Sequence, residues 1–233
     1  MRNFIIFRWT ATRLALAATL TAALIGVACV TDDDGDDTLT AAALALAAAQ
    51  NVSSGGSSST ACSGSGHCIL FVPAANAIVN TGVSGLDSQC NSAADKPSGG
   101  GTYKAMVADG TNRIACTTAN CGTGTGEHTD WVLKPSKEYR RSDGSTVLGT
   151  TTANGVFSFP LTNAIKTAVV GTNSTRTGLE TNWTSSANDC SNWGDNTAGS
   201  SSAGGLHDQT NSNLLNIGTS GCSNASKVIC VEQ

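Results

Sequence analysis

Nine cysteines, three histidines and one run of basic residues are the side chains of this sequence best equipped for chemistry. The cysteines are Cys29, Cys62, Cys68, Cys90, Cys116, Cys121, Cys190, Cys222 and Cys230. Setting Cys29 aside, for a reason given below, leaves eight, the even number that a disulfide framework requires in an oxidising compartment. Eight cysteines allow 105 pairings, so the count alone gives no connectivity. Cys116 and Cys121 enclose only four residues and would pin a local turn. The histidines, His67, His128 and His207, are scattered, and each reads as structural or solvent-exposed; no metal is expected. Lys134, Lys137, Arg140 and Arg141 fall within eight residues, a real concentration in a chain with 13 Lys and Arg. With Tyr139 supplying stacking area, this segment would suit sulfated glycosaminoglycan or an acidic patch on a protein. The alternative is a solvated loop in which Glu138 and Asp143 neutralise part of the charge.

Catalysis finds no such concentration. His128, Asp130 and any of many serines can be written as a triad, but with so many serines such a grouping carries no information. There is no Gly-x-Ser-x-Gly elbow, no His-Glu-x-x-His, no phosphate loop and no redox Cys-x-x-Cys. No enzymatic activity and no cofactor are expected.

Cys29 has a different use. Arg2, Arg8 and Arg13 precede the apolar run from Leu14 to Ala28. A basic region, a short apolar run and small residues before a cut make a secretory signal. The run is shorter than the roughly 20 residues of a spanning helix. Leu24-Ile25-Gly26-Val27-Ala28-Cys29 resembles a bacterial lipobox, with Gly26 where Leu is usual, and this makes Cys29 the lipid-attachment residue. The alternative is ordinary cleavage after Gly26-Val27-Ala28. Residues 1–28 are then the signal peptide and 29–66 a tether. The tether has an acidic stretch (Asp32, Asp33, Asp34, Asp36, Asp37), an Ala/Leu segment from Thr40 to Gln50 and a Ser/Gly-rich linker. The acidic stretch lacks the spacing and flanking helices of a calcium loop and reads as a solvated spacer.

Removing residues 1–28 leaves 10 basic against 17 acidic residues, a net charge of −7, which excludes a long nucleic-acid groove. Charged residues make up 13% and aromatics 5% of the whole chain. That predicts many turns, short strands and a surface made polar by hydroxyls and amides.

The elements that must position these side chains lie in residues 67–233. Cys68-Ile69-Leu70-Phe71-Val72-Pro73 predicts a buried strand ended by proline. Ser84, with Asp87 three residues on, predicts a helix start, and Leu86, Cys90, Ala93 and Ala94 share one helical face that points Cys90 into the core. Pro97 and Gly99, Gly100 and Gly101 would end that helix. Thr102 to Val107 alternates with period two, a half-buried strand. From Asp109 onward the chain reads mostly as loop, with Trp131-Val132-Leu133 and Val156-Phe157-Ser158-Phe159 as small strands or core plugs. A Gly/Ser-rich excursion reaches Gly205. Val228, Ile229 and Val231 form a short buried strand around Cys230.

Several of these stretches, in this order, carry a family resemblance: Gly85-Leu86-Asp87-Ser88-Gln89-Cys90, Gly101-Thr102-Tyr103-Lys104-Ala105, Asn188-Asp189-Cys190-Ser191-Asn192-Trp193, Cys222, and Val228-Ile229-Cys230-Val231-Glu232. Together they resemble the endostatin-like branch of the C-type-lectin-like fold, and within it the leptospiral endostatin-like surface lipoproteins and a larger set of uncharacterised spirochaete lipoproteins. The resemblance covers about residues 68–233. It implies a single α+β domain, loop-rich and braced by bridges Cys90–Cys230 and Cys190–Cys222. Cys62–Cys68 and Cys116–Cys121 are then left as local pairs, an inference from what remains rather than the family's pattern. Closing the longer loop would stabilise the domain by up to roughly 5 kcal/mol, and the shorter by about 3.5–4 kcal/mol.

Sugar-binding members of this fold use calcium held by Glu-Pro-Asn or Gln-Pro-Asp and Trp-Asn-Asp triplets. Neither proline triplet is present, and Trp193-Gly194-Asp195 echoes the third imperfectly, so calcium-dependent sugar binding is not expected. The histidines match none of the positions of the zinc cluster of mammalian endostatin. The family includes adhesins for laminin, fibronectin, plasminogen and complement factor H. The expected product is therefore a lipid-anchored outer-membrane protein at the cell surface that binds host matrix proteins, plasminogen or complement regulators. The alternatives are an envelope-organising lipoprotein with no host ligand, or a carbohydrate-binding module.

Overall fold

The structure, a computed structural model, describes residues 62, 66–99, 101–168 and 173–233. The segment expected to be a signal peptide, Cys29 and nearly all of the expected tether lie outside the described residues. Cys62 does not belong with the tether: it is 3% exposed, packs in the core and is bridged to Cys68.

The described part is α+β, mostly sheet. Strand β1 (Cys68–Phe71) is buried along its whole length. It lies inside a five-stranded sheet with β2 (Tyr103–Ala105), β3 (Glu138–Arg140), β4 (Val147–Thr150) and β8 (Cys230–Glu232), in the order β2-β8-β1-β3-β4. The β1–β3 pair is parallel and the others antiparallel. Leu70 joins a core with Tyr139, Leu148, Phe157, Trp183, Leu214 and Val231. Ile69 and Phe71 join a second core with Leu86, Cys90, Tyr103, Trp193 and Cys230. Both faces of β1 are covered, which is why it is continuously apolar rather than alternating. A second, antiparallel sheet has the order β5-β6-β7, from Ser174–Arg176, Ser201–Leu206 and Gly218–Gly221.

Helix α1 (Gly82–Ser92) buries Val83, Leu86 and Cys90. Ser84 does not cap it. The helix starts two residues earlier, at Gly82, whose φ of +68° only glycine adopts freely, after Thr81, which makes no side-chain capping bond. It also ends at Ser92, before Pro97, leaving Ala94 exposed. The expected strand from 102 to 107 is regular only over β2; Met106, Val107 and Ala108 are all wholly buried, so period two stops there. The expected C-terminal strand is regular over Cys230–Glu232, with Val228 and Ile229 buried just ahead of it.

The largest correction is the Gly/Ser-rich excursion, which forms β6, the central strand of the second sheet. A Cβ at Gly204 would lie 2.3 Å from the Thr175 carbonyl oxygen, and one at Gly205 2.1 Å from that of Leu214. Glycine is needed here for close backbone approach.

The four bridges are Cys62–Cys68, Cys90–Cys230, Cys116–Cys121 and Cys190–Cys222. Cys90–Cys230 ties α1 to the last strand across 140 residues, and Cys190–Cys222 crosses 32. Among the described residues no helix is long and apolar enough to cross a membrane.

Candidate functional site

The basic segment runs through β3, and strand geometry decides where its side chains go. Successive residues on a strand face opposite sides, so Glu138 and Arg140 point outward and Tyr139 points in. Tyr139 is wholly buried, edge-on to Phe157 with ring centroids 5.5 Å apart. Its hydroxyl accepts the Lys134 N–H at 2.8 Å. Burial pushes the phenol well above its ordinary pKa. Tyr139 therefore offers no stacking area to a ligand, and that expectation is corrected.

The four cations diverge. Lys134 donates through Nζ to the Cys62 carbonyl at 3.2 Å. Arg140 donates through Nε to Glu138 at 2.7 Å and through Nη1 to the Gly144 carbonyl at 3.1 Å. Arg141 donates through Nε to the Ala164 carbonyl at 2.7 Å. Lys137 is half-buried, and its N–H donates to Thr151 Oγ1 at 2.9 Å. Glu138 thus does neutralise Arg140, in a part-exposed pair of the kind worth at most about 1 kcal/mol. Asp143 forms no ion pair among the described residues. Its carboxylate accepts from the hydroxyls and N–H groups of Thr146 and Ser145, with Thr146 foremost, and these bonds hold it far below the usual carboxylate range.

The fold instead brings Arg141 together with Lys166, from the loop that follows β4. The carbonyl of Ala164 that receives Arg141 also delivers Lys166, two residues on, to the same hollow, while Ile165 between them is buried in the core. The hollow is a concave pocket of about 290 Å³, walled by these two cations, by Asp95 and Asp143, and by Phe71 and Val72. Lys166 Nζ donates to the Val72 carbonyl at 3.1 Å, and Asp95 accepts the Ala74 N–H at 2.9 Å. A lysine ammonium has three donors, so Lys166 retains capacity for an outside acceptor. Nothing in the local sequence around Lys166 signals this role.

The sequence candidates His128, Asp130 and Trp193 to Asp195 are tied into the fold by their neighbours. His128 lies between two backbone carbonyls, its Nδ1 2.5 Å from Ala115 O and its Nε2 3.0 Å from Asn154 O. Asp130 pairs with Arg113 and Lys104. Cys190 to Trp193 forms a left-handed turn with four successive positive φ angles, 54°, 55°, 58° and 62°. L residues avoid this conformation. Here it is held by the Asp189 carboxylate, which accepts the Asn192 N–H at 3.0 Å, by the Cys190–Cys222 bridge and by the buried Trp193 ring. Asp195 accepts from Thr197 and Ser200, closing the following turn. Among the described residues no group of three or more His, Cys, Asp or Glu is placed to hold a metal ion.

With this geometry in place, the chain belongs to the family DUF1554, described as a protein of unknown function, which matches residues 74–213. No curated protein matches the chain. The family match begins after β1 and stops before β7 and β8, so Cys222 and Cys230 fall outside it.

Proposed function

We propose that this protein is an exported, non-enzymatic binding module, lipid-anchored through Cys29 in the outer membrane, that displays an endostatin-like form of the C-type-lectin-like fold to host proteins. The observation that carries this reading is that Arg141 and Lys166 line one concave pocket together with Asp95 and Asp143. A hollow with both signs of charge suits a protein surface that presents acidic and basic side chains together. It suits a polysulfated chain less well, because the two carboxylates repel a polyanion at contact distance.

Two further features support the reading. All eight cysteines from Cys62 onward are bridged, as in proteins of oxidising compartments. A helix bridged to the last strand, with a second small sheet beside its own bridge, is consistent with the endostatin-like resemblance. In addition, β1 pairs with β8, so the start and end of the domain are neighbours, and an anchor before Cys62 leaves the intervening loops free to meet a partner.

The test joins orientation to binding. Protease treatment of intact cells, with a periplasmic protein as control, is expected to remove the domain while the control survives. The purified protein is then expected to bind saturably to one of immobilised laminin, fibronectin, plasminogen or factor H. The variant Arg141→Ser with Lys166→Ser should weaken that binding at least about tenfold, a loss of about 1.4 kcal/mol. Protection of the domain until the envelope is broken would overturn the reading in favour of an envelope partner.

A further inference from the structure

The second sheet carries a separate hollow. Its register pairs Arg176 with Gly204, Gly204 with Gly218, and Ser202 with Ser220, so these residues share one face. Two of them lack side chains, and a Cβ at Gly218 would meet nothing within 4 Å. The result is a concave pocket of about 130 Å³, with Ser174 and Ser226 also on its walls.

Arg176 lines this pocket and is only 2% exposed. Its Nη1 donates to Ser202 Oγ at 2.5 Å, and its Nη2 to the carbonyls of Gly221, Cys222 and Asn224 at 2.9, 3.1 and 2.6 Å. No carboxylate among the described residues pairs with it, whereas the other buried arginine, Arg113, has two. Burial lowers the Arg176 pKa from its ordinary value, with no carboxylate nearby to raise it. A buried charge satisfied by dipoles alone is costly, and an anion alongside it relieves that cost.

The hydroxyls beside it show which anion would fit. Ser202 Oγ accepts from Arg176, so its own O–H is left to donate, and none of the described residues accepts it. Ser220, directly opposite, accepts from Asn224 Nδ2 at 3.0 Å and is likewise left with a proton to give. Each hydroxyl keeps its donor and one acceptor site, and the buried guanidinium charge beside them favours a ligand group that accepts rather than one that donates. We propose that this hollow binds a single oxyanion group, a carboxylate or a sulfate, through the Ser202 and Ser220 hydroxyls over the Arg176 charge. A hollow of about 130 Å³ has room for one such end group.

The experiment is an amide NMR titration of the full chain in detergent micelles, with sodium sulfate and sodium acetate in separate arms and sodium chloride at matched ionic strength as the reference. Saturable shifts of the Ser202, Gly204, Thr219 and Ser220 signals are expected, with a dissociation constant in about the millimolar range. Saturation by sulfate alone or by acetate alone assigns the group. Because Arg176 also holds the 221–224 turn, the deciding variants are at Ser220, which is exposed and is not one of the hydrogen-bond partners of Arg176. Ser220→Ala should weaken binding several-fold, and Ser220→Asp, which puts a carboxylate in the hollow, should abolish it. Shifts that rise linearly as with chloride, or that persist unchanged in Ser220→Asp, would overturn the proposal.

Discussion

The Arg113 guanidinium, wholly buried, grips the Asp87 carboxylate in parallel: Nη1 to Oδ1 and Nη2 to Oδ2, both at 2.8 Å. Asp87 lies on α1 and Arg113 on the segment that follows β2, so the pair locks the helix to the sheet edge. Asp87 Oδ1 also accepts the Ala105 N–H at 2.8 Å, and Arg113 Nη1 donates to the Ala105 carbonyl at 2.7 Å. Asp130 joins from the far side and brings Lys104 with it. Burial works to lower the Arg113 pKa, but the hydrogen bonds and charges of Asp87 and Asp130 outweigh it and raise the value.

Removing the arginine therefore leaves a carboxylate without its buried partner. Arg113→Met is expected to destabilise the domain by about 3–5 kcal/mol, the cost of breaking a buried pair from one side. Lys104→Ala, in a pair about a third exposed on each side whose Asp130 keeps Arg113, is expected to cost under about 1 kcal/mol. Urea unfolding of the two variants measures the contrast, and equal losses would show that the Arg113 pair is not what holds α1.

Glu127 organises the small loop closed by Cys116–Cys121. Its carboxylate accepts the N–H and hydroxyl groups of Thr117, Thr118 and Thr123, with distances from 2.6 to 2.9 Å. Burial works to raise its pKa, but the hydrogen bonds from Thr118 and Thr123 outweigh it and hold the carboxyl far below its ordinary value. A carboxyl depressed in the folded state contributes stability that is present above its unfolded pKa and is lost as pH falls through the folded one. Glu127→Gln is therefore expected to be less stable than the parent at pH 7, with the gap narrowing as pH drops below about 4.5. Asp109 and Asp130, which are also held low, are common to both proteins and cancel in the difference. Thermal unfolding of the two proteins from pH 7 to pH 2 tests this; a gap that stays constant with pH would show that the Glu127 charge is not what the threonines bind.

Loop length ranks the bridges. In the chain-entropy account, closing 140 residues between Cys90 and Cys230 is worth up to about 5 kcal/mol, and closing 5 between Cys116 and Cys121 about 2 kcal/mol. Replacing Cys90 and Cys230 together by alanine also empties space at two wholly buried positions. This variant is expected to fail to fold at 37 °C or to lose most of its unfolding free energy. The Cys116→Ala, Cys121→Ala variant should fold, with looser protection of loop 116–127 in amide exchange. A ranking in the opposite order would mean that local strain, not chain closure, sets the value of these bridges.

What the sequence discloses follows from how many physical causes produce the same pattern. Strand β1 is legible because burial on both faces leaves a continuous apolar run bounded by proline, and few other structures write that. Strand β6 is not legible, because Ser201 to Gly205 has the composition of a linker while its glycines serve close packing against Thr175 and Leu214. The basic cluster is legible as a concentration of charge but not as a surface. Its side chains leave in different directions, and Lys166 reaches the pocket only through the fold. The inward turn of Tyr139, flanked by Glu138 and Arg140, follows from period two once the segment is known to be a strand rather than a loop.

Tyr139 and Arg141 should then part company in experiment. Tyr139→Phe keeps the ring in the core but removes the oxygen that accepts the Lys134 N–H, and a donor left without its acceptor costs about 1–3 kcal/mol. Its effect is expected on stability alone, with partner binding unchanged per folded molecule. Arg141→Ser with Lys166→Ser removes charge from the pocket wall and is expected to cost about 1–3 kcal/mol of stability for the two lost bonds to the Ala164 and Val72 carbonyls, while binding per folded molecule falls at least about tenfold. Measuring both properties on both variants separates a side chain that builds the strand from side chains that the strand presents. If Tyr139→Phe lost binding without losing stability, the ring would have to reach a ligand, and the burial that removes it from the site would not describe the protein in solution.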